Sequence, residues 1–237
     1  SIFAEGHAGP GNNNPSNVLS YVETATTGNA IDFGDISDNG SDMTGCCSPV
    51  RGVFFHGAKG NHDTAPSDTI DYVTIASTGN AADFGDLSAV SESFAGSGNN
   101  IKGIVGGGNQ GPYAGMDVIT IASTGGGTDF GDLTQARRDL GSTSNQIRQV
   151  FGGGAAPGIS NIIDFLQIAS LGNASDFGDL AAANRGNSGS SVSHNGLELG
   201  LPQRPSVTYM PGSGRGLFGG GYAPGTTDVI TQINIRG

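Results

Sequence analysis

Charge is scarce in this chain, and positive charge most of all. Only 13% of the 237 residues are charged, ten of them cations against 21 anions, for a net charge of −11. That charge content excludes the high-charge route to disorder. The negative balance repels phosphate backbones, so nucleic acid is not an expected partner, and it favours solubility over nonspecific association. Cysteine is limited to the adjacent pair Cys46 and Cys47. Neighbouring cysteines cannot build an ordinary disulfide framework, and no His or carboxylate partners stand near them at zinc-ligand spacing. They read as two small residues near a strand end. No apolar run approaches the roughly 18 residues of a spanning helix, so no membrane insertion is expected. Ser1 is followed by no basic segment and no apolar core, so no signal peptide is expected.

What is abundant is glycine, at 43 residues, or about 18% against a usual share near 7%. There is no Gly-X-Y period, which excludes collagen. The excess is organised by a repeat, the feature to look for first. Asp-Phe-Gly-Asp occurs at Asp32–Asp35, Asp83–Asp86, Asp129–Asp132 and Asp176–Asp179, with spacings of 51, 46 and 47 residues. Before each copy stands a β-rich run, such as Ile70-Asp71-Tyr72-Val73-Thr74-Ile75 or Ile163-Asp164-Phe165-Leu166-Gln167-Ile168. A fifth run, Ile230–Ile235, has no Asp-Phe-Gly-Asp after it. Further upstream is a hydrophobic pair leading into glycines, as in Val150-Phe151-Gly152-Gly153-Gly154. The same slot holds Val53–Gly57, Ile104–Gly108, Leu217–Gly221 and, at the start, Ile2–Gly6.

The intervals separate strands from loops. The second Asp of the motif precedes the last slot glycine by 22 residues three times, and by 42 in the fourth unit. The fourth unit therefore carries about 20 extra residues, within an insertion at about 181–214. Each unit reads as four short strands: a Ser-rich segment such as Gly141–Gln149, the hydrophobic pair, the Ile-Asp-Tyr-Val-Thr-Ile type, and Asp-Phe-Gly-Asp-Leu. Ser77-Thr78-Gly79-Asn80-Ala81 supplies the hairpin between the last two. In the third strand, Ile70 and Tyr72 pack together with Val73 or Ile75, while Asp71 and Thr74 face water. The expected fold is all-β, a β-propeller of five blades of about four antiparallel strands in one domain over 1–237. Its units run at about 1–45, 46–96, 97–142, 143–190 and 213–237. Two blades are one strand short. Closure would bring Ile2–Gly6 near Ile230–Ile235; an open solenoid or completion by another chain are the alternatives. The glycines then permit close backbone approach rather than cradling phosphate, which would need a following helix.

The pattern of a hydrophobic pair, Gly-Gly, a variable loop, a Tyr-bearing strand and a late aromatic resembles the kelch repeat. Phe33, Phe84, Phe130 and Phe177 stand where kelch carries Trp. Ile70–Leu87 and Arg215–Gly221 are more closely similar to repeat proteins of marine bacteriophages, notably cyanophages, described as virion structural or tail-fibre-like. Gln203–Arg215 also looks like part of that family. The resemblance implies a component of the phage particle surface or tail, with other virion proteins or a host surface glycan as partners and a homo-oligomer as one form of assembly.

Each candidate site has a simpler alternative. Four copies of one acidic pair (Asp32 and Asp35, Asp83 and Asp86, Asp129 and Asp132, Asp176 and Asp179) point to turn capping more than to catalysis, which uses a single pair. Asp35, Ser37 and Asn39 follow the first half of a calcium loop, but its closing acidic position is Cys46. No other cofactor is expected. His7, His56, His62 and His194 are scattered, and His56 sits in a glycine slot. Asn39-Gly40-Ser41 and Asn173-Ala174-Ser175 have the form of glycosylation sequons. The insertion collects Arg185, Arg204 and Tyr209 in a chain poor in cations and aromatics, which makes it a candidate binding loop. Loops Ala58–Asp68 and Asn109–Gly115 form a second candidate face. A non-enzymatic adhesion or structural module is the leading expectation. A polysaccharide-degrading enzyme on the same scaffold is the alternative.

Overall fold

The structure is a computed structural model that describes residues 1–6, 15–60, 65–110, 113–155, 157–191, 215–223, 225–226 and 228–235. It is all-β, and no helix occurs among the described residues. In chain order the strands are β1 (Ile2–Ala4), β2 (Ser16–Tyr21), β3 (Ile31–Ser41), β4 (Thr44–Cys47), β5 (Arg51–Phe55), β6 (Ala58–Lys59), β7 (Ser67–Thr74) and β8 (Ala82–Ser91). They continue with β9 (Ala95–Gly98), β10 (Lys102–Gly106), β11 (Gly115–Thr120), β12 (Thr128–Asp132), β13 (Gly141–Ser144), β14 (Arg148–Gly152), β15 (Ile162–Gln167) and β16 (Ser175–Asp179). The last are β17 (Ser188–Ser191), β18 (Arg215–Gly219), β19 (Tyr222–Ala223), β20 (Gly225–Thr226) and β21 (Ile230–Asn234).

These strands form successive antiparallel sheets. The second, third and fourth sheets are β4-β5-β7-β8, β9-β10-β11-β12 in that spatial order, and β13-β14-β15-β16. In each, the hydrophobic pair lies in the second strand and Asp-Phe-Gly-Asp in the fourth. The first sheet is β1-β2-β3 with the short β6 added, and the fifth is β17-β18-β21. The first strand of each new sheet straddles the unit limits placed from the sequence near 46, 97, 143 and 190. The fifth sheet's first strand, β17, lies inside the span read as insertion. The extra residues therefore fall at 192–214, between β17 and β18, where the other sheets have turns at 48–50, 99–101 and 145–147. Strands β1 and β21 are not hydrogen-bonded to each other; each pairs within its own sheet.

Three contacts, repeated from sheet to sheet, hold the stack together. First, the first strands are made of small residues (Thr-Gly-Cys-Cys, Ala-Gly-Ser-Gly, Gly-Ser-Thr-Ser). They come close enough to exchange hydroxyl hydrogen bonds, such as Gly96 N to Thr44 Oγ1 at 3.1 Å and Ser97 Oγ with Ser142 Oγ at 3.0 Å. Second, the hairpin between the third and fourth strands docks on the Asp-Phe-Gly-Asp of the preceding sheet. Gly79 N and Ala81 N donate to Phe33 O and Asp35 O, both at 2.7 Å. Gly125 and Gly127 do the same to Phe84 and Asp86, and Gly172 and Ala174 to Phe130 and Asp132. The motif glycine makes room for this. A Cβ on Gly131 would lie 2.5 Å from the Gly172 carbonyl, and its φ of +137° is already unfavourable for other residues. Third, residues seven positions after the motif's last Asp (Asp42, Ser93, Asp139 and Gly186) all have positive φ, between 53° and 63°. They form a ladder in which Asp139 N donates to Ser93 O and Gly186 N to Asp139 O.

The core lies between the sheets. Phe33, Phe84 and Phe130 are 4%, 2% and 2% exposed. Phe33 and Phe84 meet Tyr21 and Tyr72 edge to face, with ring centroids 5.8 and 5.9 Å apart. Val73 is buried, whereas Ile75 is an exposed hydrophobic residue. No described helix is long and apolar enough to cross a membrane.

Candidate functional site

The first acid of each repeated pair is engaged within the fold. In all four motifs the first Asp accepts a hydrogen bond at 3.0 Å from the motif's own glycine amide: Gly34 to Asp32, Gly85 to Asp83, Gly131 to Asp129 and Gly178 to Asp176. Each motif glycine sits close to a register shift between third and fourth strands. A turn carrying positive φ at glycine and capped by its own Asp is a local backbone device. The amides of Asp35 and Asp132 receive Asn80 Oδ1 and Asn173 Oδ1 from the docking hairpins, at 3.1 and 3.0 Å. Asn173, the head of one sequon, thus serves an inter-sheet contact. Phe177 differs from its three counterparts: it is only half-buried.

A second set of acids is buried outright. Asp71 does not face water; it is 0% exposed, as is Asp164, and Asp117 is 6% exposed. The reason is a clamp. Two residues after the motif's last Asp the chain carries Ser37, Ser88 or Thr134, and each reaches the third-strand Asp of the next sheet. Ser37 donates through N and Oγ to Asp71 Oδ2 at 2.8 and 2.7 Å. Ser88 donates to both oxygens of Asp117 at 2.7 Å, and Thr134 Oγ1 donates to Asp164 Oδ1. At the contact between the fourth and fifth sheets both halves are missing. Ala181 stands in the hydroxyl position and Thr231, opposite Phe218, in the Asp position.

Two of the three buried carboxylates also have a basic side-chain partner, His56 in one case and Arg137 in the other. His56 Nε2 lies 2.9 Å from Asp71 Oδ2, with both side chains fully buried. A Cβ on the nearby Gly40 would collide with the Ala58 carbonyl oxygen at 2.7 Å and make ordinary contact with the His56 ring at 3.7 Å. At Asp164 the slot residue is Gly153 and the cation comes from the preceding connection instead. Arg137, fully buried, donates to Asp164 Oδ2 at 2.5 Å, Gly153 O at 2.6 Å and Ile162 O at 2.8 Å. Burial works to raise the Asp71 pKa, but the hydrogen bonds from His56 and Ser37 outweigh it and hold the carboxyl below its ordinary value. Burial lowers the Arg137 pKa, and the charge and hydrogen bond of Asp164 oppose that. His56 therefore belongs to a structural pair.

A cleft of about 680 Å³ lies beside the connections that leave the third and fourth sheets. Arg138 and Arg185 line it, 47 residues apart and therefore equivalent in successive units. Arg138 Nη1 donates to Asn109 Oδ1 at 2.8 Å. Arg185 Nη1 is 3.5 Å from Asp139 Oδ2, and its guanidinium stands 5.4 Å from the centre of the exposed Tyr222 ring. Both arginines are held by backbone bridges, Arg138 to Ala155 and Arg185 to Tyr222. Ala155, Pro157 and Ile159 supply an apolar wall. The cleft offers partly exposed guanidinium groups beside an apolar wall. Such a cleft can hold an acidic group, with the arginines engaging a carboxylate or sulfate.

The sequence candidates are distributed differently from expectation. Arg185 is in the cleft, but in the connection between β16 and β17 and not in the inserted loop. Arg204 and Tyr209 lie outside the described residues, as do His7, His62 and His194. Of the calcium candidates Asp35, Ser37 and Asn39, Ser37 gives its hydroxyl to Asp71, and the described residues contain no cluster of three or more His, Cys, Asp or Glu able to hold a metal. Cys46 and Cys47 are free thiols, and burial pushes both pKa values up. Arg137, Arg138, Asp139 and Tyr222 were not singled out from the sequence. The signal for them was positional: a fixed offset from the last Asp of the repeat, and the single Arg-Arg pair. No known protein family matches the chain, and no curated protein is significantly similar to it.

Proposed function

We propose that the chain is a structural or adhesion module of a bacteriophage particle, built as a five-bladed propeller and displayed on the tail or surface. The observation that carries the binding role is the cleft lined by Arg138 and Arg185, which concentrates cations in a protein of net charge −11. Successive antiparallel sheets with touching first strands support the propeller reading. The use of the first motif Asp as a turn cap in all four copies supports a module that binds without turnover. Its ligand is a host surface glycan or a neighbouring virion protein. The experiment has two arms. Purified particles are probed for the chain by mass spectrometry, and the isolated chain is screened on arrays of acidic and neutral glycans, with Arg138→Ala and Arg185→Ala beside it. Presence in particles and glycan capture lost in both variants support the reading. Absence from purified particles, or capture indifferent to both arginines, overturns it. Depolymerisation of a glycan by the wild-type chain would make it an enzyme.

A further inference from the structure

One end of the second, third and fourth sheets carries the same pair of residues three times. The turns between their first and second strands lead into Val50-Arg51, Ile101-Lys102 and Ile147-Arg148. Each turn closes alike, with the amide of Arg51, Lys102 or Arg148 donating to the side chain of Ser48, Asn99 or Asn145 at 3.1, 2.8 and 2.8 Å. The aliphatic residue stands at the tip, 63%, 58% and 64% exposed. Turn positions ordinarily carry polar residues, and a side chain exposed to that degree adds little to the core. The cations tie one turn to the next. Arg51 Nη1 donates to Ile121 O, and Lys102 Nζ to Ile168 O, both at 3.1 Å. Ile121 and Ile168 in turn donate their amides to Ile101 O and Ile147 O. Asn99 Nδ2 also donates to Gln146 O at 3.0 Å. The three tips therefore form one continuous row.

Charge is sorted along the same row. The three turns (48–51, 99–102 and 145–148) and the hairpins beside them (75–81, 121–127 and 168–174) hold three cations and no Asp or Glu, in a chain of 21 acids and ten cations. The first motif Asp of each sheet is set back. Arg51 lies opposite Thr74 and Asp83 opposite Asp71, three residues further in. Lys102 and Asp129, and Arg148 and Asp176, are related in the same way. Three residues of strand span about 10 Å, more than the roughly 8 Å over which charge is felt at physiological salt. A surface touching the tips meets the cations and is screened from those acids.

We propose that this end of the sheets docks on an anionic lipid surface. Val50, Ile101 and Ile147 enter the interface, and Arg51, Lys102 and Arg148 meet headgroup phosphates. The apolar atoms sit on tips that protrude rather than enclose, and a fluid interface accepts such tips without matching their shape. A guanidinium has five N–H donors, so the Ile121 carbonyl leaves Arg51 able to hold a phosphate. β13 runs between Arg138 of the cleft and the turn of Ile147, which makes this surface separate from the cleft.

The test sediments the intact chain with vesicles of phosphatidylcholine alone and of an equal mixture of phosphatidylcholine and phosphatidylglycerol. Three tips and three cations give binding on the order of 10⁴ M⁻¹ to the mixed vesicles, about that of one acyl chain. That binding should vanish at about 1 M salt and on the neutral vesicles. Ile101→Ser combined with Ile147→Ser should weaken it about 100-fold, about tenfold for each aliphatic tip withdrawn from the interface. The urea midpoint of that variant should stay at the wild-type value, because both side chains are exposed. Ile147→Trp gives this tryptophan-free chain a reporter, whose emission should shift to the blue on the mixed vesicles only. Equal binding to both vesicle types, binding indifferent to salt or to the serine pair, no blue shift, or no binding at about 1 mM lipid overturns the inference. So does self-association of the lipid-free chain that the serine pair abolishes, because a second copy would then cover the tips.

Discussion

Alanine at Gly131 and at Gly178 should separate the cost of backbone strain from the cost of losing a sheet contact. The two glycines hold the same place in successive motifs and nearly the same backbone, with φ of +137° and +131°. Alanine at either φ costs about 1–2 kcal/mol in strain. At Gly178 that is the whole effect, since no described residue lies within 4 Å of its Cβ position. At Gly131 the Cβ would lie 2.5 Å from the Gly172 carbonyl and 2.8 Å from the Asn173 amide. Backbone cannot give way there without lifting the hairpin. Lifting it breaks the bonds from Gly172 to Phe130 and Ala174 to Asp132, and the one from the Asp132 amide to Asn173. Three hydrogen bonds at roughly 1 kcal/mol each put Gly131→Ala about 3 kcal/mol below Gly178→Ala. With a urea slope of about 3 kcal/mol per molar for a chain of this size, the midpoints should differ by about 1 M. Far-ultraviolet circular dichroism is the readout, because the chain has no tryptophan. Coincident midpoints for the two variants would refute the idea that the motif glycine exists to seat the next hairpin.

The inter-sheet clamps yield further outcomes. Asp71→Asn should destabilise the chain by about 2–3 kcal/mol at neutral pH through loss of charged hydrogen bonds. Because the Asp71 pKa is depressed in the folded state, its contribution is complete above about pH 4 and disappears as the pH falls through the lower folded value. Calorimetry at pH 7 and in strong acid should therefore show the gap between wild type and variant closing in acid. Arg137→Met leaves the buried Asp164 carboxylate without its cation and should cost about 3–5 kcal/mol, with partial recovery when Asp164→Asn is added. Ala181→Ser and Thr231→Asp install the two missing halves of the fourth clamp. Alone, the aspartate should be destabilising; together, a double-mutant cycle by thermal denaturation should give a favourable coupling of at least about 1 kcal/mol. Zero coupling would mean that the clamp does not extend to that contact.

The repeat, the four strands of its complete units and the all-β character could be read from the chain because they follow from near-neighbour chemistry. Alternating β-branched and aromatic residues favour strands. Gly-Asn turns favour hairpins. The length of the insertion was legible from a broken interval, but its place between β17 and β18 was not, since an interval does not say which turn has grown. Asp71 was misread as solvent-facing for a related reason. In an isolated strand, a carboxylate on the side away from Ile70 belongs in water. It is buried because Ser37 and His56, 34 and 15 residues away, arrive with the donors that offset desolvation.

The cleft shows the same division. Arg185 was visible as a rare cation, but its setting was assigned to the wrong loop. Arg138 stood unnoticed beside Arg137, and only packing separates their roles. One is fully buried against Asp164 and the other partly exposed beside Asn109. The sequence by itself determined the periodicity, the strand content and the places where glycine is required, because each depends on residues a few positions apart. Tertiary structure alone decided which acids are buried and which arginines face the cleft. Those outcomes depend on what the neighbouring sheet presents, about 50 residues away along the chain, where hydrogen-bond partners and desolvation are settled by packing.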